Sequence, residues 1–194
     1  MNSSLTDAEI KVIPEFILKE KACLLFKHLQ SNISWEQHYV TIFGRRMASP
    51  RLSAWYGERN TNYSYSGQHL TPTPWTTRLQ TIRNTIKEKL DLDFNSVLMN
   101  YYRTGSDNMG WHSDDETTLG KNPIIASLSL GGTRRFVLKH KSRKDLGKLE
   151  YDLGNGDLLI MSGSTQHFWK HQIPRTRKHV KPRINLTFRR IINK

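Results

Sequence analysis

The segment GWHSDDE at residues 110–116 places an imidazole and a carboxylate two residues apart. Successive side chains of an extended strand alternate between its two faces, so His112 and Asp114 project to the same side and could hold one metal ion between them. A third ligand must then come from elsewhere in the chain. If His171 supplies it, two histidines and one carboxylate leave open positions on ferrous iron for a cosubstrate and dioxygen.

The third ligand has two candidates in the sequence. His167 and His171 are four residues apart, so both would share one face if the segment 166–171 were a strand. Spacing therefore does not distinguish between them. Because Cys23 is the only cysteine, an internal disulfide and a zinc site built from several thiolates are excluded. Any metal chemistry must use histidine and carboxylate.

Polar side chains recur at every second position of two predicted strands, which puts them on one face of each strand. They are Asn100 and Tyr102 in the strand 96–102, and Arg183, Asn185, Thr187 and Arg189 in the strand 183–191. A buried unpaired arginine is costly, so two on one inward face predict protein carboxylates or a ligand with two acidic ends. A dicarboxylate would suit them, provided that the strand brings together two residues about 20 Å apart along its length.

The net charge of +13 is concentrated in the last 74 residues, which hold 17 Lys and Arg against 4 Asp and Glu, whereas the first 120 residues hold 13 of each. This distribution predicts a polyanionic partner, the alternative being a solvated basic surface. The aromatic and basic residues in segments 50–57 and 62–67 favour nucleic acid, because unpaired bases stack on aromatic faces. For Tyr63 and Tyr65 the alternative is a place in the core of β-strands.

The elements that must position these residues are mainly strands. Apolar spacing predicts one helix over 18–29 and a second one capped by Thr73, with Pro74 in its first turn and an apolar stripe over 79–90. The segment 39–46 predicts a hairpin. From residue 95 onward the short predicted strands are 96–102, 124–130, 135–139, 148–152, 157–161, 166–171 and 183–191. Consecutive strands without helices between them predict a sandwich or a jelly roll.

The length favours one domain, with an N-terminal extension of helices and hairpins over 1–92 and a jelly-roll core over 93–194. We expect the two helices to cover one sheet. Neither a secretory signal nor an apolar run long enough to span a bilayer is visible, which predicts an intracellular protein without a membrane partner. We also expect a monomer. The expected location is the cytoplasm beside the nucleoid in a bacterium, or the nucleus in a eukaryote.

Three runs of the sequence resemble a known family. The runs WHSDDE at 111–116, PIIASLSLG at 123–131 and PRINLTFR at 182–189 look like the AlkB-type nucleic acid dealkylases, in particular the branch of the second and third vertebrate homologues. Segments 50–57 and 63–67 match as well, so the resemblance covers about residues 40–191. It implies an iron(II) and 2-oxoglutarate dependent dioxygenase on a double-stranded β-helix, a jelly roll.

The resemblance also implies roles for individual residues. The metal ligands would be His112, Asp114 and His171, with His171 preferred over His167 because an aliphatic residue and a proline, Ile173-Pro174, follow it closely. The residues that contact 2-oxoglutarate would be Asn100, Tyr102, Arg183, Asn185 and Arg189. Arg183 would hold the distal carboxylate, and Arg189 would lie near the carboxylate that chelates iron.

The expected substrate contacts come from three parts of the chain. Tyr63, Tyr65 and Ser66 match a damaged-base pocket, and Asp115 and Glu116 match acidic positions near the exocyclic amine of the base. The run 42–44 resembles a finger hairpin whose Phe43 fills the gap left by a flipped base. Arg51 is expected among these contacts, and the basic segments 139–144 and 175–183 are expected to hold phosphates.

The implied reaction uses Fe(II), 2-oxoglutarate and O2 to demethylate 1-methyladenine and 3-methylcytosine in DNA, with release of formaldehyde, succinate and CO2. The DNA would be single-stranded, or a duplex with the base flipped out, because the alkyl group lies on the pairing edge. The alternatives are an RNA demethylase, a 2-oxoglutarate dependent hydroxylase of protein side chains and a catalytically inactive module that binds nucleic acid.

Overall fold

The computed structural model describes residues 5–192 apart from 43, 60, 62, 66, 67 and 71, and it describes only the backbone of 40–42, 63–65 and 68–70. Within this part the helices are α1 (Lys19–Asn32), α2 (Thr77–Leu90), α3 (Thr165–Phe168) and a 3-10 helix (Thr117–Leu119). The strands are β1 (Glu9–Ile13), β2 (Tyr39–Ile42), β3 (Arg45–Ala48), β4 (Leu52–Gly57), β5 (Tyr63–Tyr65), β6 (Gln68–Leu70), β7 (Thr73–Pro74), β8 (Ser96–Tyr102), β9 (Met109–His112), β10 (Ile125–Gly131), β11 (Arg134–His140), β12 (Leu149–Leu153), β13 (Leu158–Ser162), β14 (Trp169–Ile173) and β15 (Arg183–Arg189).

These strands form two principal sheets. The larger has seven strands in the order β1-β13-β10-β15-β8-β4-β7, and the smaller has four in the order β12-β11-β14-β9. Each pairing in them is antiparallel except that of β4 with β7. Two hairpins, β2-β3 and β5-β6, stand apart as separate sheets. The arrangement is a jelly roll, as the sequence predicts.

The two faces of β15 show how this sheet divides the molecule. Its apolar side chains, Ile184, Leu186 and Phe188, are fully buried in a core that includes Leu29 of α1 and Leu79 of α2. Both helices therefore cover one sheet, as expected. The alternate polar residues face inward, toward a second core that includes Phe136 and Leu138 of the smaller sheet. Period-two alternation thus assigns one face of β15 to folding and the other to chemistry.

The start of α2 differs from the prediction. Thr73 does not cap it: Thr73 and Pro74 form β7, which pairs with the end of β4. The cap is Thr76, whose hydroxyl accepts a hydrogen bond from the backbone N–H of Leu79 at 3.4 Å. The prediction failed because Thr76 is an equally good capping residue and because the pairing of β7 depends on a partner distant in sequence.

A second difference lies just before β14. The first three residues of the predicted strand 166–171 belong instead to the short helix α3, and the strand begins at Trp169. The hydroxyl of Thr165 donates to the carbonyl of Ser162 at 2.6 Å and accepts from the backbone N–H of Glu9 at 2.8 Å. These contacts stabilise a turn that the local sequence does not reveal.

In the described part of the chain no helix is both long and apolar enough to cross a membrane.

Candidate metal centre and cosubstrate site

The cleft between the two sheets contains most of the predicted metal and cosubstrate residues. The inward face of the larger sheet contributes Asn100, Tyr102, Asn185, Thr187 and Arg189. The opposite wall of the cleft contains His112, Asp114 and His171. The polar residues that alternation placed on one face of the strands 96–102 and 183–191 therefore line one cleft, apart from Arg183.

His112, Asp114 and His171 come together at this cleft, with one potential ligand atom from each lying within 4.8 Å of the others. The strands β9 and β14 pair antiparallel, with His112 opposite His171, and their ring centroids are 4.2 Å apart. Oδ2 of Asp114 is 3.8 Å from Nε2 of His171. Two histidines and one carboxylate on one side of a possible metal position form the facial set that suits ferrous iron.

The protonation states of these three groups fit a metal site. Burial and the neighbouring His112 lower the pKa of His171 to about 3, and burial also lowers the pKa of His112, against the opposing effect of Asp114. Burial would raise the pKa of Asp114, but the positive charge of Arg189 holds it below its usual value. Neutral imidazoles and an ionised carboxylate are the forms that bind a metal.

Neighbouring groups orient the ligands. Nδ1 of His112 lies 2.9 Å from the carbonyl oxygen of Gly110; as a donor to it, Nδ1 leaves Nε2 unprotonated for a metal. Nη2 of Arg189 donates to Oδ1 of Asp114, which directs Oδ2 toward His171. The backbone N–H of Asp114 donates to Oε1 of Gln166 at 2.9 Å. Gln166 was not identified from the sequence, because its spacing carries no signal of this contact.

His167 does not join this set. It lies in α3, on the exposed surface, and its Nε2 contacts the carbonyl oxygen of Lys121 and, at 3.1 Å, Oδ1 of Asn122. His171 follows in β14 and is buried. The expectation that both histidines share a strand face was therefore wrong, and the geometry favours His171.

Arg183 and Arg189 occupy opposite ends of the polar face of β15, both almost fully buried. Nη2 of Arg183 donates to Oγ of Ser129 at 2.9 Å and to Oδ1 of Asn185 at 2.7 Å. Burial lowers the pKa of Arg183 to about 10, although Tyr102 opposes this effect. The two arginines thus stay apart, one beside the metal ligands and one beside Tyr102, which matches a ligand with an acidic group at each end.

Two serines of β10 complete this polar face and were missed from the sequence as site residues. Oγ of Ser127 donates to Oδ1 of Asn185 at 3.0 Å, and Ser129 binds Arg183 as described above. Their signal was present, since Ser127 and Ser129 alternate with leucines in β10 as the polar residues do in β15.

Gly131 ends the strand β10 at φ 85°, and a Cβ there would lie 2.5 Å from the carbonyl oxygen of Pro182. Glycine therefore allows β10 to meet the start of β15.

The predicted substrate contacts are placed only in part. Nε of Arg51 donates to Oδ1 of Asn100 at 2.8 Å, so Arg51 lies beside a predicted cosubstrate residue. Asp115 pairs with Nζ of Lys141 at 3.0 Å, and Glu116 precedes the 3-10 helix at its N-cap. Among the described residues that line the cleft, neither Asp115 nor Glu116 occurs.

The remaining predicted contacts lie where little is described. Tyr63 and Tyr65 belong to β5, of which the backbone alone is described, and Ser66 and Phe43 lie outside the described residues. Their predicted roles remain predictions.

Comparison with known proteins agrees with this geometry. A model of the 2OG-Fe(II) oxygenase superfamily matches residues 9–189. The human alpha-ketoglutarate-dependent dioxygenase alkB homolog 3 is 38% identical over 192 residues, which are 95% of this chain and 66% of that protein. The chain thus spans slightly less than two thirds of that relative's length. Mouse DNA oxidative demethylase ALKBH2 is 35% identical over 183 residues, which are 90% of this chain and 77% of that protein.

A solved structure shows the same fold. OsALKBH1 superimposes with a TM-score of 0.66, covering 94% of this chain and 97% of that one at 19% identity. The family model extends over both sheets and over all three residues of the metal centre. The chain therefore belongs to the AlkB-type dioxygenases of the 2OG-Fe(II) oxygenase superfamily, whose metal is iron(II) and whose cosubstrates are 2-oxoglutarate and dioxygen.

Proposed function

We propose that this protein oxidatively removes alkyl groups from N-alkylated bases of nucleic acid, and that its substrates are 1-methyladenine and 3-methylcytosine in DNA. The observation that carries the proposal is the position of the His112, Asp114 and His171 set at one end of a buried polar row that ends in Arg183. The similarity to mouse DNA oxidative demethylase ALKBH2 supports the choice of DNA.

In this proposal the polar row of β15 binds 2-oxoglutarate. Arg183, Asn185 and Tyr102 hold the distal carboxylate, and Arg189 and Asn100 direct the other end toward the metal. The chemistry that iron(II) supplies when bound is activation of dioxygen, coupled to oxidative decarboxylation of 2-oxoglutarate to succinate and CO2. Arg189 also keeps Asp114 ionised and oriented, because it binds one carboxylate oxygen and leaves the other for the metal.

The substrate must present its alkyl group to the same cleft. Hydroxylation of an N-methyl group gives a carbinolamine, which releases formaldehyde and restores the base. Since 1-methyladenine and 3-methylcytosine are cationic, we assign their recognition to the carboxylates of Asp115 and Glu116 and to the faces of Tyr63 and Tyr65. Asp115 and Glu116 lie outside the described lining of the cleft, so in this proposal the bound base extends past that lining, and its positive charge competes with Lys141 for Asp115. Because the lesion blocks base pairing, the cost of flipping the base out of a duplex is low.

The basic C-terminal part would bind the phosphates of the strand. Its exposed cations include Arg175, Arg177, Lys178 and Lys181.

A DNA substrate implies a location with DNA, which is the cytoplasm of a bacterium or the nucleus of a eukaryote. We propose that the protein acts there as a monomer. The complete ligand set supports catalysis over a purely binding role.

The experiment compares oligonucleotides of one sequence that carry a single 1-methyladenine, as single-stranded DNA, duplex DNA and RNA. We expect iron-dependent and 2-oxoglutarate-dependent demethylation, faster on DNA than on RNA. No activity on DNA beside clear activity on RNA would identify an RNA demethylase.

The variant Phe43→Ala, assayed on the same substrates, tests the assignment of Phe43 to a finger hairpin. It should slow repair of the duplex more than repair of the single strand, and an equal effect on both would refute the assignment.

A further inference from the structure

Two guanidinium groups lie against the ring of Tyr102. Cζ of Arg183 is 5.4 Å from the ring centroid, and Cζ of Arg134 is 5.6 Å from it. Arg183 belongs to the proposed cosubstrate site. Arg134 lies at the start of β11 and is not among the residues proposed to bind 2-oxoglutarate. Both side chains are buried. Arginines are rarely buried in this way unless they are paired, so the buried position of Arg134 calls for an explanation.

Arg134 holds three backbone carbonyl groups. Nη1 donates to Thr104 at 3.2 Å, and Nη2 donates to Asp107 at 2.9 Å and to Pro174 at 2.7 Å. Thr104 and Asp107 belong to the loop that joins Tyr102 at the end of β8 to β9, which ends at His112. Pro174 directly follows β14, which contains His171. One side chain therefore joins the ends of the strands that present the cosubstrate and metal residues.

The charges around Tyr102 are incompletely balanced by protein groups. In the part of the chain that the structure describes, neither Arg134 nor Arg183 forms an ion pair with a carboxylate. Asp107, whose backbone carbonyl binds Arg134, pairs its carboxylate with Arg103 at 2.7 and 3.0 Å. That carboxylate offsets the charge of Arg134 only from beyond ion-pair distance. Nε and Nη1 of Arg183 are buried and form no hydrogen bond of good geometry with the described residues. Two buried cations that form no ion pair with a protein carboxylate favour the binding of an anionic ligand.

We propose that Arg134 is a positioning residue of the cosubstrate site. It fixes Tyr102 beside Arg183, and it adds the second positive charge that makes the site prefer a 2-oxo acid with a distal carboxylate. The inference rests on the proposed assignment of Tyr102 and Arg183 to 2-oxoglutarate. It goes beyond that assignment because Arg134 need not touch the ligand to act.

The test compares two ligands that differ only in the distal carboxylate. 2-Oxoglutarate and 2-oxopentanoate have the same five-carbon chain, and their affinities are measured by calorimetry on protein loaded with Mn(II) in place of iron, so that turnover does not interfere. We expect Arg134→Gln to weaken the binding of 2-oxoglutarate about tenfold, because the distal carboxylate loses a nearby positive charge and Tyr102 loses its support. The binding of 2-oxopentanoate should stay within about twofold of the wild type. In turnover, KM for 2-oxoglutarate should rise more than kcat falls.

Arg135→Gln is the matched control. Arg135 is the next residue of β11, is exposed and pairs with Glu150 at 3.1 Å, so the variant loses the same charge outside the site. It should leave the preference for 2-oxoglutarate unchanged. Arg134→Lys keeps the charge but does not reproduce the planar guanidinium that serves three carbonyls, so it should lose part of the preference.

The outcomes separate this inference from the proposed function. An unchanged preference in Arg134→Gln, or an equal loss for both ligands, would overturn the role of Arg134. If the wild-type protein does not prefer 2-oxoglutarate over 2-oxopentanoate, the cosubstrate assignment itself fails, and the inference fails with it. Thermal melting checks the fold of each variant. If Arg134→Gln does not fold, Arg134→Lys decides, and an unchanged preference there counts against the inference.

Discussion

His171 and His167 show how backbone geometry selects one of two identical side chains. The four-residue helix α3 places His167 on the surface, while β14 places His171 opposite His112. The sequence identified both histidines and the carboxylate, but the choice between them rested on resemblance alone. Spacing failed because α3 forms through contacts of Thr165 with distant Glu9, which no local pattern reports.

His171→Ala should abolish tight metal binding and turnover, because the remaining two ligands do not complete the facial set. The loss of Mn(II) affinity, measured by calorimetry, should be about 100-fold or more. His167→Ala is the matched control, since it removes the same side chain four residues away. It should stay within about threefold of the wild type in both measurements. The opposite result would assign the ligand to His167.

The polar face of β15 is the second feature that the residue scale explains. Alternation predicted its members, and the structure adds Ser127 and Ser129 of β10 as their hydrogen-bond partners. The contacts of Gln166 and Arg134 were beyond prediction, because each joins segments that are far apart in sequence. Side chains that repeat with a strand's period are predictable, whereas those that bind backbone groups across the fold are not.

At the scale of the elements, apolar and polar alternation located the strands of the C-terminal half. The predicted strand 96–102 coincides with β8, and the bounds of β10 to β13 differ from the predictions by one residue. The failures include β7, β9 and α3, which are short elements of two, four and four residues. Elements this short have too few residues to show a period, so their partners determine them.

The loop between β8 and β9 connects two functional strands, and its ion pair gives an element-scale prediction. Asp107 accepts hydrogen bonds from the backbone N–H of Arg103 at 2.9 Å and from its side chain. Burial would raise the pKa of Asp107, but these bonds to Arg103 lower it below its usual value. Because Arg103 is partly exposed, Asp107→Asn should reduce the free energy of unfolding at pH 7 by only about 1 kcal/mol.

The pH dependence follows from the direction of this shift. A carboxylate with a lowered pKa stabilises the fold above its unfolded value of 3.8, and this contribution is lost as the pH falls through the folded value. Urea unfolding of metal-free protein should therefore show a gap between wild type and Asp107→Asn at pH 7 that narrows below about pH 4. A gap that is constant across this range would show that charge does not account for the effect.

At the scale of the whole molecule, the charge distribution separates the two halves of the chain. The excess of basic residues lies entirely in residues 121–194, which also contain β10 to β15. Such asymmetry was readable from composition. The path of a bound nucleic acid was not, because composition gives the charge of a segment but not its position in the fold.

If the basic segment 175–183 binds phosphates, reversing two of its charges should weaken binding at low salt and flatten its salt dependence. Arg177→Glu with Lys178→Glu, measured on a single-stranded oligonucleotide by fluorescence anisotropy, should lower the slope of log K against log salt by about 1 to 2. The double variant Lys21→Glu with Lys27→Glu makes the same charge change on exposed positions of α1. Equal effects of the two double variants would indicate net charge alone, without a local phosphate site.

The most direct test of the central claim is the stoichiometry of the reaction on one defined lesion. An oligodeoxynucleotide with a single 1-methyladenine is incubated with enzyme, iron(II), 2-oxoglutarate and oxygen, and restored base, succinate and formaldehyde are counted by mass spectrometry in the same sample. The account predicts one succinate and one formaldehyde for each adenine restored, and none of the three with His171→Ala. Succinate formed without restored adenine, or demethylation that survives His171→Ala, would contradict it.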